Sequence, residues 1–347
     1  MAPESSVGEI ESQALWFAAP RTAEFRTEII PPPGPDEVRV RTIYSAISHG
    51  TEMLVYRGEV PPGMALDLPT LAGDYGFPIK YGYAAVGRVL DAGPEATDFK
   101  PGDLIFVHHP HQSAFNAPAE MPVRLPDGLD PLSGLFVANL ETAVNIVHDT
   151  PIRLGETAAV FGQGVVGLLV ARLLKMAGAG RVIAIEPDEA RRKLSQEMGA
   201  DETFEPGEDL NESLMQATDG RGADVSVEVS GSPAALNSAV EATAEEGTVV
   251  VASWYGTKSA ALDLGGHFHR GRLRLRSSQV GGIPPELTPR WDRARRMETV
   301  LQLLPGLGLE RFVSHCFPLE DAPSAYRLVD ENPAETVQVI LDHDGGD

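Results

Sequence analysis

The chain has 347 residues, a length that predicts two domains rather than one small core. Hydrophobic residues make up 42% and charged residues 22% of it, as in an ordinary globular protein, and no apolar run is long enough to span a membrane. The formal net charge of −22, from 50 acids against 28 bases, disfavours nucleic acid and anionic membranes as partners.

The first part of the chain has the pattern of a compact β-barrel. Short runs of alternating residues at 37–43, 85–90 and 104–107 predict strands, and clusters of proline and glycine separate them. A helical pattern follows over residues 134–148. Near the other end, residues 335–341 predict a closing strand, which we expect to rejoin the first domain.

The most informative stretch lies at residues 156–186. An apolar run ends at Gly162, a helical pattern continues to about Ala177, and a second apolar run ends at Glu186. Gly162 permits a tight turn, Gly164 lets a pyrophosphate approach the backbone, and Gly167 lets the helix pack closely on the sheet. The free N–H groups of the helix start, which includes Val165 and Val166, favour phosphate. This order predicts a dinucleotide site rather than an ordinary strand–helix turn.

Charge at the end of the second run indicates which dinucleotide is bound. Glu186 lies where an acid accepts the ribose hydroxyls of an adenosine, and its charge would repel a 2′-phosphate. Arg191 and Arg192 follow closely and could instead hold such a phosphate. The carboxylate is nearer the expected position, so the sequence favours NAD(H) over NADP(H).

Later strands are predicted at residues 224–229 and 248–252, each after a helical or loop segment, as repeating βαβ units require. Another is predicted in the run that ends at Ser278. There Arg270, Arg272, Arg274 and Arg276 alternate with glycine and leucine, a pattern typical of a strand with one charged face. A solvated face is the simpler interpretation of these arginines, ahead of an anion site.

The ordered motifs resemble those of the medium-chain dehydrogenase/reductase superfamily over essentially the whole chain. They are Pro-Asp-Glu-Val-Arg-Val at 35–40, His-Gly-Thr-Glu at 49–52, Tyr-Gly-Tyr-Ala-Ala-Val-Gly at 81–87, Phe-Lys-Pro-Gly-Asp at 99–103 and the glycine turn. The resemblance implies an α/β protein in which a GroES-like β-barrel catalytic domain, at 1–147 and 283–347, is combined with a Rossmann doubly wound parallel-sheet domain at 148–282. It also implies a nicotinamide cofactor in the cleft between them, beside Ser253 and Trp254.

The zinc-dependent branch of that family differs from this chain at its metal ligands. Its first ligand, a cysteine, aligns with His49, and its Gly-His-Glu pattern aligns with Gly82, Tyr83 and Ala84. The third ligand should fall near 137–139, where no good ligand stands. A catalytic zinc needs three suitable protein ligands, so we expect no zinc. The alternative is an unorthodox metal site built from His49 and the histidines at 108, 109 and 111.

Without zinc, a hydrogen-bond donor must neutralise the charge that develops on the substrate oxygen. Our hypothesis is that His49 or Tyr83 donates to that oxygen while Thr51, which by resemblance holds the proton-relay position, passes the proton on. His109 and His111 follow a barrel strand in the region where the family places substrate-facing residues. The alternative is that His49 and Tyr83 only fill a pocket that relatives use for metal.

The sequence therefore predicts an NAD(H)-dependent oxidoreductase that acts on a secondary alcohol or its ketone, and the resemblance suggests a bulky substrate. The alternatives are an NADPH-dependent quinone or enoyl reductase and a cofactor-binding protein without activity. The family implies a homodimer, paired around residues 273–280, or a homotetramer. Cys316 is the single cysteine, and the first residues lack the features of a signal peptide, so we expect a cytoplasmic protein.

Overall fold

The computed structural model describes residues 8–61, 63–66 and 73–344. The chain divides into two compact units, of which one comprises Met1–Ala138 and Leu301–Asp347 and the other comprises Asn139–Val300. Within the part of the chain that is described, no helix combines the length and the apolar character needed to cross a membrane. The first seven residues, on which the signal-peptide expectation depends, lie outside the described residues.

The described residues form strands in both units. In chain order they are β1 (Ile10–Ala19), β2 (Thr22–Ile30), β3 (Glu37–Ile47), β4 (Ala85–Ala92), β5 (Leu104–Val107), β6 (Ala114–Pro118), β7 (Val123–Arg124), β8 (Thr157–Phe161), β9 (Arg181–Ile185), β10 (Glu202–Phe204), β11 (Ala223–Glu228), β12 (Thr243–Val251), β13 (Arg274–Ser277), β14 (Val313–Pro318) and β15 (Gln338–Asp342).

The helices alternate with these strands in the second half of the chain. They are α1 (Thr51–Arg57), α2 (Pro131–Gly134), α3 (Val137–Asp149), α4 (Val165–Met176), α5 (Glu189–Glu197), α6 (Leu210–Ala217), α7 (Pro233–Ala242), α8 (His267–Arg270), α9 (Arg293–Leu303) and α10 (Ala322–Glu331). Short 3-10 turns lie at Leu304–Gly306, Leu309–Phe312, Leu319–Asp321 and Pro333–Glu335.

The first unit is a β-rich domain, as the alternating runs predict. Its larger sheet has the order β14-β15-β3-β4-β5-β7, with β6 also paired to β3, and β1 and β2 form a separate hairpin. Alternate residues of β3, among them Val38 and Val40, pack against Ile105 and Phe115 in the barrel core. The closing strand β15 pairs antiparallel with β3, so the end of the chain does rejoin this domain.

The second unit contains a parallel sheet with the order β10-β9-β8-β11-β12-β13. Numbered from β8, this is the 3-2-1-4-5-6 order of a Rossmann fold, in which ligands bind outside the carboxyl ends of the strands. The central strand β8 is buried along its whole length, which explains its continuous apolar sequence. The predicted combination of a barrel domain and a Rossmann domain is confirmed.

The prediction of a strand with alternating arginines is wrong over its first half. Arg270 ends the short helix α8, and Arg272 has a left-handed backbone with φ of 55°. The strand β13 begins only at Arg274. Arg272 and Arg274 both pair with Glu246, so local ion pairs and a turn account for the pattern.

Three other predicted elements have different boundaries in the structure. The helical pattern of residues 134–148 is split, since α2 ends at Gly134 and α3 begins at Val137. Strand β12 begins at Thr243, directly after α7 and before the predicted position 248. The closing strand begins at Gln338 rather than 335, because a 3-10 turn occupies Pro333–Glu335. None of these shifts changes which element carries a candidate site residue.

Candidate functional site

The glycine turn joins β8 to α4 at the carboxyl edge of the parallel sheet. Gly162 has φ of 99°, and a Cβ placed on it would lie 2.8 Å from Ser230 Cα. A Cβ on Gly167 would lie 1.9 Å from the carbonyl oxygen of Gly162. Protein backbone therefore accounts for both glycines, the first by the turn and by close packing and the second by packing of the helix on the turn.

Gly164 differs from its two neighbours in the motif. It is the N-cap of α4 with φ of −70°, and a Cβ on it would meet no atom within 4 Å. Nothing in the fold of this unit requires glycine here, so the residue type fits the close approach of a ligand. Val165 and Val166 begin α4, and by helix geometry their N–H groups have no acceptor within the helix. This end of α4 suits a pyrophosphate.

Glu186 is tied directly to the glycine turn. It follows β9, is only 4% exposed, and its Oε2 accepts a hydrogen bond from Gln163 N at 2.7 Å. Its Oε1 accepts another from Asp188 N at 3.1 Å. An ionised carboxylate has about four acceptor positions, so it can still accept bonds from ribose hydroxyls.

The two arginines after Glu186 have different surroundings. Arg192 donates from Nη1 to the carbonyl oxygens of Glu186 and Pro187, at 2.7 and 2.6 Å. Arg191 lies in the first turn of α5, where Asp188 Oδ1 accepts its backbone N–H at 2.9 Å. Arg192 thus supports the backbone that carries the Glu186 carboxylate, which favours a structural role for it.

A second buried acid, which the sequence analysis did not identify, organises the next strand end. Glu228 ends β11, and its Oε1 accepts hydrogen bonds from Ser230 N at 2.7 Å, Ser230 Oγ at 2.6 Å and Gly231 N at 2.9 Å. Tyr255 Oη donates to its Oε2 at 2.9 Å. Ser253 Oγ accepts a further bond from Gly231 N at 2.8 Å. An acid at the end of an apolar strand, as at Glu186, was the available signal.

In the first unit, three hydroxyl groups meet at Tyr83. The hydroxyl of Tyr83 donates to Ser48 Oγ and is also hydrogen-bonded to the Thr51 side chain. Thr51 begins α1, and Tyr83 lies in the loop just before β4. The structure thus brings together two predicted residues, Thr51 and Tyr83, and adds Ser48, which the sequence analysis missed. Its position next to His49 in the motif was the only signal for it.

The surroundings of Tyr83 keep its proton in place. Burial raises the pKa of Tyr83 to about 12, and the nearby Glu52 carboxylate adds to the rise. The hydrogen bonds with Ser48 and Thr51 oppose it. A phenol with this pKa is protonated at neutral pH, so it can donate a proton or a hydrogen bond but is a poor base.

The histidines at 108, 109 and 111 face different partners. His108 Nδ1 lies 3.1 Å from the carbonyl oxygen of Tyr83. His109 stacks on Phe115 with ring centroids 3.5 Å apart, and its Nδ1 lies 2.9 Å from the carbonyl oxygen of Pro110. His111 is fully buried against Glu52, with Nε2 2.8 Å from Oε1. Burial lowers the pKa of His109 to about 3, which makes it a neutral ring of the barrel interior.

The structure shows whether the side chains near His49 and Tyr83 could bind a metal ion. Across residues 8–61, 63–66 and 73–344, no group of three or more histidine, cysteine, aspartate or glutamate side chains is placed to hold a metal ion. His49 is half-buried at the start of the α1 segment, and Tyr83 uses its hydroxyl toward Ser48. The residues at the family's ligand positions therefore do not fit a zinc ion.

Comparison with known proteins places the chain among dehydrogenases. Residues 165–297 match the family described as zinc-binding dehydrogenase. D-guloside 3-dehydrogenase of Escherichia coli (strain K12) is 27% identical over 325 residues, covering 88% of this chain and 92% of that protein. (R,R)-butanediol dehydrogenase of Bacillus subtilis (strain 168) is 28% identical over 279 residues, covering 72% and 77%. A provisionally assigned zinc-binding dehydrogenase of Sinorhizobium meliloti 1021, solved with NADP bound, has a TM-score of 0.77 at 22% identity and covers 96% of this chain and 99% of that one.

Proposed function

The chain belongs to the medium-chain dehydrogenase/reductase superfamily, and on that premise we propose that it transfers hydride between NAD(H) and a secondary alcohol or its ketone without a catalytic zinc. It is an alcohol dehydrogenase-like oxidoreductase that acts on small molecules. The observation that carries the proposal is the Tyr83 hydroxyl, which Ser48 and Thr51 hold at a motif position where zinc-dependent relatives have a ligand.

Tyr83 supplies the proton in this scheme. The nicotinamide cofactor that the second unit would hold would supply the hydride for the carbonyl carbon of a ketone. The Tyr83 O–H turns from Ser48 Oγ to the carbonyl oxygen, which takes its proton, and the O–H bond of the tyrosine breaks as that of the alcohol forms. Thr51 or Ser48 then returns a proton to the phenolate, with water as the final source. Because the pKa of Tyr83 is raised to about 12, ketone reduction is the direction that its protonated form supports.

The nucleotide half of the cofactor would be held by the second unit. The N–H groups at the start of α4 and the open approach at Gly164 suit the pyrophosphate, and Glu186 suits the ribose hydroxyls. The Sinorhizobium meliloti protein that was solved with bound NADP has the same fold. We propose NAD(H) for this chain because the Glu186 carboxylate is fixed at the turn by Gln163 N, where it would repel a 2′-phosphate.

We predict that the protein uses NADH better than NADPH by about tenfold or more in kcat/KM, and that Glu186→Gln removes most of this preference. The substitution removes the negative charge and leaves one carbonyl oxygen for the two N–H donors of Gln163 and Asp188. Steady-state rates with both cofactors provide the measurement. Glu189→Gln is the matched control, since Glu189 is an exposed acid three residues later that pairs with Lys193. A wild-type preference for NADPH would contradict this assignment.

A quinone or enoyl reductase is the second candidate. The residues at the family's zinc-ligand positions do not fit a zinc ion, and we expect the same of the metal-free branch of the superfamily. The test is product analysis with NADH and a substrate that carries both a ketone and a conjugated double bond. Formation of the allylic alcohol supports the proposed function. Formation of the saturated ketone contradicts it and favours the second candidate.

We also propose a homodimer formed along β13, with a tetramer as a further assembly. β13 is the last strand of the parallel sheet, so one of its edges offers backbone groups for pairing with a second copy. Leu275 on this strand is 38% exposed. Leu275→Asp is expected to shift the mass measured by light scattering from dimer to monomer, whereas Leu264→Asp, at another exposed leucine, leaves it unchanged. A monomeric wild type would contradict the proposal.

A further inference from the structure

A buried polar cluster lies next to the Tyr83 site in the first unit, and the proposed chemistry does not use it. We call it the Glu52 cluster, and it consists of Glu52, His111, Tyr326, Ser45 and His343. The Glu52 carboxylate is fully buried and accepts hydrogen bonds from three donors. They are His111 Nε2 at 2.8 Å, the Tyr326 hydroxyl, and the backbone N–H of Ser48 at 3.1 Å.

The other members of the cluster continue from His111. Ser45 Oγ lies 2.7 Å from His111 Nδ1 and 2.8 Å from His343 Nε2. The hydrogen bonds thus run without a break from His343 through Ser45 and His111 to Glu52. A carboxylate oxygen accepts, so His111 Nε2 is the donor in the bond to Glu52.

Two contacts connect this cluster to the hydroxyl group of Tyr83. Glu52 Oε2 holds the backbone of Ser48, whose side chain accepts the Tyr83 hydrogen bond. On the other side, the His111 ring packs against Gly82, the residue before Tyr83. A Cβ on Gly82 would lie 2.8 Å from His111 Cδ2, and Gly82 has φ of 128°. The donor and the acceptor of the Tyr83–Ser48 bond are thus each held by a member of the cluster.

The same place in the core could have been filled by apolar side chains. Burying a carboxylate is unfavourable unless good hydrogen bonds compensate, and this one has three. Such an arrangement defines the geometry more narrowly than apolar packing, because each bond has a preferred length and angle. Catalytic groups lose efficiency when they move by as little as about 1 Å.

We infer that Glu52 is a positioning residue, which fixes the Ser48 backbone so that Ser48 and Thr51 hold the Tyr83 hydroxyl oxygen at the position from which it can donate to the substrate. This inference rests on the proposed function of Tyr83. It assigns no contact between Glu52 and the substrate. Glu52 acts only through Tyr83, so its effect should disappear when the Tyr83 hydroxyl is absent.

The test is a double-mutant cycle with Glu52→Gln and Tyr83→Phe, measured in ketone reduction with NADH. Glu52→Gln alone is expected to lower kcat about tenfold with KM changed less than about twofold. In the Tyr83→Phe background, the same change should have no further effect on kcat. Equal losses in both backgrounds would overturn the inference, because a general structural effect does not depend on the Tyr83 hydroxyl.

A milder variant keeps the test usable if Glu52→Gln does not fold. Tyr326→Phe removes one donor from Glu52 Oε1 and leaves the carboxylate in place, so it should lower kcat about threefold, again only when Tyr83 is present. Tyr56→Phe is its matched control. The Tyr56 ring lies 5.0 Å from that of Tyr326, but its hydroxyl bonds to the carbonyl oxygen of Arg21, so kcat should not change. If Tyr83→Phe itself leaves turnover intact, the proposed function fails, which is a separate outcome from additivity in the cycle.

Discussion

Replacing Tyr83 with phenylalanine is expected to lower kcat for ketone reduction by about 10²–10³-fold, with KM changed less than about threefold. The ring fills the same space, so the change removes only the hydroxyl, which donates to Ser48 in the free protein and, in our scheme, to the substrate oxygen once the substrate is bound. The measurement is steady-state NADH oxidation with a ketone. An unchanged kcat would eliminate Tyr83 as the proton donor.

Tyr81 offers a matched control for this substitution. It is a buried tyrosine two residues earlier, with its ring 6.3 Å from that of Tyr83, and burial also raises its pKa. Tyr81→Phe should therefore retain most of the activity. The pH profile gives an independent check. Because the pKa of Tyr83 is about 12, its proton is retained across the usual assay range, and no loss of reductase activity below about pH 11 should arise from its ionisation.

Gly164→Ala is expected to weaken NADH binding by about 10–100-fold while leaving the melting temperature close to that of the wild type. The φ of −70° suits alanine, and the added Cβ meets no protein atom within 4 Å. The methyl group would instead occupy the approach that we assign to the pyrophosphate. Titration of NADH by fluorescence and a thermal melt measure the two effects separately.

Two other glycines provide controls that distinguish an effect on NADH binding from an effect on stability. A Cβ on Gly167 would lie 1.9 Å from a backbone oxygen, so Gly167→Ala should lower the melting temperature itself. Gly207 has open space around its Cβ position, as Gly164 does, and Gly207→Ala should change neither property. Normal NADH affinity in Gly164→Ala would place the pyrophosphate elsewhere.

The nucleotide unit was predictable because its signals are local in sequence. The turn at Gly162, the helix after it and the acid at Glu186 lie within 30 residues, and each has one dominant physical reason. The Glu186 contact with Gln163 N depends on strand order, but the motif already implies that order. The fold of both units followed from the same kind of pattern.

The site around Tyr83 was only partly predictable, because its contacts join distant parts of the chain. Tyr326 reaches Glu52 across 274 positions, and His343 reaches Ser45 across 298. No periodicity or motif links residues so far apart. The pairing of β15 with β3 brings His343 to Ser45. The packing of α10 into the core beside α1 brings Tyr326 to Glu52. The histidines at 109 and 111 are only two positions apart in sequence, yet they face Phe115 and Glu52 respectively.

For the arginines at 270–276 the local sequence pattern was clear, but it predicted the wrong structure over the first half. Alternation from 270 to 276 satisfies the strand period, but the helix hydrogen bond from Gly271 N to His267 O and the left-handed Arg272 take its first half out of the sheet. Alternation over a few residues is compatible with a turn as well as with a strand. Only the second half has a neighbouring strand, β12, with which to pair.

In the proposed mechanism the Tyr83 hydroxyl, rather than a metal ion, neutralises the charge on the substrate oxygen. The decisive experiment is ketone reduction by protein treated with a strong zinc chelator, with metal content measured on the same sample. We expect a sample that contains no stoichiometric metal to turn over as fast as the untreated protein. Turnover that is lost with the metal and restored by added Zn²⁺ would contradict it.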